Sequence, residues 1–121
     1  MVDDRAVVWF SAMLRFAVLV EGVGMTSFAR SLVVFQAPDW PEAKARALEL
    51  GRRLETSYRN GAGAGVRWRL TEVETLDLLG DTITDGREVY SEPMAVPADA
   101  APTAFDTDFD PASSEPTQSG V

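Results

Sequence analysis

Between Trp9 and Val20 apolar side chains recur at every second position: Phe10, Ala12, Leu14, Phe16, Val18 and Val20 form one wholly apolar set. The interleaved set, Trp9, Ser11, Met13, Arg15, Ala17 and Leu19, is mixed. Side chains of an extended chain alternate between two faces, so this period of two predicts a long strand with one face in a core. The run Ala6 to Val20 is not read as an export signal or a membrane span. It follows Asp3 and Asp4 in the polar lead-in Met1 to Arg5 rather than a basic region, and Arg15 interrupts it. It also falls short of the roughly 20 apolar residues needed to cross a bilayer.

The remaining elements follow from this strand. Gly22 and Gly24 supply a turn, and Phe28 to Ala37 reads as a second, β-branched and aromatic strand pairing antiparallel with the first. Pro38 ends it. Asp39 suits a helix N-cap, with Pro41 in the first turn and Glu42 three residues on. The spacing of Trp40, Ala43, Ala47, Leu50, Gly51, Leu54 and Tyr58 predicts a helix over about 40–59 with one apolar stripe. Glu42–Arg46, Glu49–Arg53 and Glu55–Arg59 would lie on its solvated face as i,i+4 pairs.

Asn60 to Gly65 reads as a loop. Its glycines follow a helix and lack the Lys-Ser/Thr of a phosphate cradle, so no nucleotide site is implied. Val66 to about Thr75 alternates again and is expected to lie beside the first strand. Leu76 to Asp81 does not alternate and suggests a turn or helical piece. Asp85-Gly86 reads as a tight turn into a short edge strand at Glu88–Ser91. The expected fold is therefore α+β: an antiparallel sheet of three to four strands, in β-β-α-β-β order, with one long helix packed on one face. Residues 6–94 form the single domain. Residues 95–121, rich in Pro, Ala, Ser and Asp, form a disordered acidic tail.

Composition mainly excludes chemistry. The chain has no His and no Cys, so histidine triads, cysteine nucleophiles, disulfides and thiolate or imidazole metal sites are ruled out. The absence of disulfides in so small a domain fits a reducing cytoplasm. Net charge is −8, but Asp99, Asp106, Asp108, Asp110 and Glu115 lie beyond Pro97 and no Lys or Arg does. The folded part is thus close to balanced, which does not favour nucleic acid as a partner.

Several short stretches together resemble a family of small bacterial domains, domain-of-unknown-function family 4288. They are Trp9-Phe10-Ser11-Ala12 with Leu14 and Phe16, Ser57-Tyr58-Arg59-Asn60, Val66-Arg67-Trp68, and Asp85 through Ser91. The resemblance spans about residues 9–92 and leaves the acidic tail outside. It implies domain limits but no activity, cofactor or catalytic residue.

Three constellations are candidates for function. Glu72, Glu74, Asp77, Asp81, Asp85 and Glu88 are oxygen donors that a hard cation could use, or a carboxylate-based enzyme, although the spacing matches no calcium loop. Ser11, Ser57, Tyr58 and Tyr90 offer hydroxyls, but the sole lysine, Lys44, is the only amine base and lies on the helix. Trp9, Met13, Arg15, Arg30, Arg67 and Arg69 are expected on the sheet face turned away from the core. There they would serve a protein partner, a second copy, a ligand or a single-stranded nucleic acid, or merely solvate the face. In the tail, Phe105 and Phe109 are four apart among aspartates and would share one side of a short helix formed on binding. The expectation is a non-enzymatic interaction or accessory domain without cofactor or metal, with an unidentified protein partner or self-association and no membrane contact.

Overall fold

A computed structural model describes residues 6–120 of the chain; the lead-in Met1 to Arg5 lies outside the described residues. The elements are β1 (Val8–Val20), β2 (Gly24–Ala37), α1 (Trp40–Leu54), β3 (Thr56–Arg59) and β4 (Gly65–Gly80). They build one antiparallel sheet in the order β2-β1-β4-β3. The chain divides into two compact units, the first ending at Ser91 and the second beginning at Glu92. Among the described residues no helix is long and apolar enough to cross a membrane.

The alternation in β1 sorts its side chains as the period of two requires. Phe10, Ala12, Leu14 and Phe16 are buried on one face, each in register with a residue of β2 and one of β4. Burying a large apolar side chain completely contributes about 1.5–3 kcal/mol, so Phe10, Leu14 and Phe16 are the heart of the core. Phe35 stacks beside Phe10 at 6.2 Å, and Trp40 at the start of α1 meets Phe10 edge-on at 5.1 Å.

The helix begins where the sequence places it. Asp39 accepts the Glu42 N–H at 3.0 Å, and Pro41 occupies the first turn. Ala43, Ala47 and Gly51, four apart, are its buried stripe. These small residues let the helix axis approach the sheet closely. A Cβ on Gly51 would lie 2.8 Å from Leu70 Cδ2, inside any normal contact.

The C-terminal limit of the helix differs from expectation. It stops at Leu54, and Thr56–Arg59, expected as its last turn, form β3 against Gly65–Trp68. The cause is tertiary. Glu55 turns out of the helix; its carboxylate accepts the Leu70 N–H at 2.9 Å and pairs with Arg52. Thr56 and Tyr58 are good strand residues once released. The five-residue loop that follows is closed by Asn60, whose Oδ1 accepts the N–H groups of Ala62 and Ala64 at 3.0 Å each. Of the three i,i+4 pairs, Glu49–Arg53 forms, and Glu55 partners Arg52 and Arg69 instead of Arg59.

Two further boundaries move. Strand β2 starts at Gly24 rather than Phe28, and β4 runs to Gly80 through Leu76–Leu79, where a turn was expected. The alternation fails there because β4 has an irregularity between Leu78 and Gly80, opposite Trp9/Phe10, after two earlier ones opposite Met13/Leu14 and Arg15/Phe16. Each such irregularity shifts the side-chain phase by one. Glu88–Ser91 is not a strand. It crosses the sheet face opposite the helix, where the buried Ser11 Oγ donates to the Val89 carbonyl at 2.6 Å. The β-β-α-β-β order thus holds, with the short strand preceding the long one rather than following it.

Trp68 lies on the helix side of the sheet, half-buried, with its ring 6.3 Å from Phe16 and its Nε1–H donating to the Tyr58 hydroxyl at 3.3 Å. Phe16→Ala is expected to cost about 3–5 kcal/mol in denaturant unfolding, and Trp68→Ala distinctly less because part of its ring stays in water. Equal losses would contradict this burial. Ser11→Ala should cost about 0.5–1.5 kcal/mol and speed proteolysis within 85–91, whose anchor it removes; protease resistance equal to wild type would count against this anchoring.

Candidate interaction face

With α1 on one side, the other face of the sheet is covered only in part. The register places Trp9, Met13, Arg15, Ala17 and Leu19 of β1 beside Gln36, Leu32, Arg30, Phe28 and Met25 of β2. On the far side of β1, Arg67 is level with Leu19, Arg69 with Ala17 and Glu72 with Arg15. The structure therefore brings all six expected face residues, Trp9, Met13, Arg15, Arg30, Arg67 and Arg69, onto one side. The strap at Arg87–Ser91 covers this face near Ser11, at the end where Trp9 lies.

Most of the charge on this face is paired within the chain. Arg15 bonds Glu72 Oε1 at 2.9 Å and Glu74 Oε1 at 2.7 Å, and Arg30 Nε bonds Glu74 Oε2 at 2.7 Å. Arg15 also lies over the Phe28 ring at 5.4 Å. Arg69 reaches Glu55 at 3.8 Å, and Arg67 is exposed. Strands β1, β2 and β4 are thus cross-linked by one network in which Arg15 and Arg30 are matched by Glu72 and Glu74. What remains exposed beside it is apolar: Phe28 at 54%, Val34 at 46% and Leu32 at 39%. Leu32 and Val34 were not singled out in the sequence, although their register with Met13 and Ser11 follows directly from pairing two alternating strands across a short turn.

The acidic cluster does not converge. Glu72 and Glu74 are bound by arginines, and among the described residues no group of three or more acids could hold a metal ion. Ser11 is committed to Val89. Ser57 and Tyr58 line a cleft of about 370 Å³ with Leu19, Val20, Glu21, Gly65, Val66 and Arg67, at the end of the sheet away from the strap. A second, more polar cleft of about 190 Å³ lies between Asp77–Leu79 and Arg87–Ser91, where Tyr90 sits. In the second unit, Phe105 and Phe109 are fully or largely exposed. Phe105 sits at a turn closed by Thr107 N–H to Ala104 O, and the only helical piece among the described residues there is a single 3-10 turn at Pro111–Ser113.

Hydrogen bonds from Arg30, joined by those from Arg15, hold the Glu74 carboxyl below its ordinary value of 4.5, against the opposing effect of burial. A carboxyl depressed in the folded state adds stability that is present above its unfolded pKa and is lost as pH falls through the folded one. Wild-type protein should therefore lose stability as pH drops below about 4.5, and Glu74→Gln should lose less over the same window while being weaker at pH 7. Urea unfolding of both at pH 7, 5 and 3.5 checks this. Parallel pH profiles would remove Glu74 as the cause.

Comparison with known proteins adds a family and nothing more specific. No curated protein and no solved structure matches the chain. The stretches joined here in space through Ser11 and Val89, Trp9–Ala12 and Asp85–Ser91, are the two ends of the resemblance noted in the sequence. Residues 9–91 match the family model described as "Domain of unknown function (DUF4288)", and the chain belongs to that family.

Proposed function

We propose that this is a non-enzymatic interaction or accessory domain of the cytoplasm, which meets a protein partner through the β2 side of its uncovered sheet face. The observation that carries this reading is the exposed row Phe28, Leu32 and Val34 beside an arginine–glutamate network with no charge left over. Single-stranded nucleic acid is bound by cationic grooves with stacking aromatics. Here Arg15 and Arg30 already have carboxylate partners, so on its β2 side the face offers apolar area rather than positive charge. Exposed apolar residues gathered on one sheet face suit a protein contact. A carboxylate-based enzyme is disfavoured for the same reason, since Glu72 and Glu74 are held in ion pairs.

A second reading rests on the cleft at Ser57 and Arg67. Its 370 Å³ falls at the small end of ligand sites, which run from about 300 to 1,000 Å³. An exposed guanidinium beside a hydroxyl would suit a small anionic ligand.

The test uses the full chain immobilised as bait in native extract, beside a Leu32→Asp/Val34→Asp variant of unchanged melting temperature. The partner retained by wild type is expected to be lost by the variant; equal retention would overturn the assignment of this face. A fluorescein-labelled single-stranded oligonucleotide should show no anisotropy change at physiological salt. Binding there would move the reading to nucleic acid.

A further inference from the structure

Among the described residues the sheet ends in β2 on one side and in β4 with the short β3 on the other, and only the second edge is defended. On the β4 side, β3 covers Gly65–Trp68 alone. Beyond it, β4 is irregular at three places and carries Arg69, Glu72, Glu74 and Asp77, while Glu55 caps the Leu70 N–H. Irregular pairing, charges and capped amides are the devices by which edges avoid joining other strands.

The β2 edge has almost none of them. It is 14 residues long, with no Pro and no Lys. Its single irregularity lies near its start, opposite Val18/Leu19, so Ser27–Ala37 is regular. Its one charge, Arg30, is bonded to Glu74 within the chain. Ser31–Ala37 is wholly uncharged, and Leu32 and Val34 within it are exposed. A long, regular, neutral edge exposes unpaired backbone donors and acceptors that would template aggregation unless covered.

We infer that this edge pairs, antiparallel, with the β2 edge of a second copy, joining two sheets into one; the inference rests on the interaction-domain reading and names its partner. The strand tolerates its own image. With Leu32 opposite Leu32, Arg30 meets Val34 and Phe28 meets Gln36, so no like charges face each other. On the helix side Phe35 meets Ala29 and Val33 meets Ser31, large against small. Cross-strand pairs of this kind are the unit of sheet stabilisation. The pairing is isologous and consumes the edge, so association stops at two copies instead of propagating. Ser27–Ala37 extends about 37 Å at ~3.4 Å per residue and about 10 Å through the sheet. The contact then buries roughly 700 Å² in total, small beside the ~1,200–2,000 Å² of stable complexes. The dimer is accordingly weak and reversible.

Sedimentation of the full chain from about 1 µM to 1 mM should show a monomer–dimer equilibrium. Over the same range, hydrogen exchange should slow at every second amide of Ser31–Ala37, those pointing away from β1. Leu32→Lys and Leu32→Glu should each be monomeric, with circular dichroism and melting like wild type, and their mixture should restore the dimer. A dimer whose outward β2 amides exchange as fast as in the monomer would overturn edge pairing and place the contact on the sheet face. A monomer throughout the range would overturn self-association altogether, while the bait experiment would still decide whether the face binds another protein. The exchange measurement needs no variant, so a substitution that fails to fold does not protect the inference.

Discussion

Strand β1 is the member to which everything else is attached. It is the only strand hydrogen-bonded along most of its length on both sides, to β2 and β4. One of its faces supplies Phe10, Ala12, Leu14 and Phe16 to the core under α1, and the other supplies Ser11, which anchors the strap, and Arg15, which anchors the ion network. A phase error of one residue in β1 would exchange these two sets and place Arg15 under the helix. The alternation of its twelve-odd side chains is therefore the constraint that the rest of the structure obeys.

Features decided by neighbours in sequence were legible; those decided by distant partners were not. The face assignment of β1, the β1–β2 hairpin and the Asp39 cap depend on local period and local chemistry, and the structure shows them as expected. The end of α1 does not depend on local chemistry alone. Glu55 and Arg59 are spaced as a helical ion pair, and the backbone N–H of Leu70, fifteen residues on, takes Glu55 away. The far end of β4 was hidden by its irregular pairing, because the phase shifts between Leu78 and Gly80 and the alternation is lost there. The strap was hidden because Val89 contributes a carbonyl group, which every residue possesses.

The candidate face was half legible for a related reason. Register follows from two alternating strands, so the grouping of Trp9, Met13, Arg15 and Arg30 could be anticipated. Their chemistry could not, since Glu72 and Glu74 reach the arginines only through β4. Counting arginines on a face predicts a cationic patch. Seeing the glutamates between them turns it into a neutral clamp bordered by Phe28, Leu32 and Val34.

The hydrogen bond from Ser11 to Val89 spans 78 residues of chain, and the β1–β4 ladder spans nearly as wide an interval. Such separations have a kinetic meaning, because the chain must close large loops before these contacts repay the entropy spent. As the polypeptide emerges from its N-terminus, β1, β2 and α1 are complete while the β4-facing side of β1 is still bare. Until Gly65–Gly80 arrives, the hydrophobic set of β1 has one neighbouring strand instead of two. The half-built intermediate thus presents two unpaired edges, one of them on the most apolar strand of the molecule, and its escape from clumping is a race between chain elongation and collision.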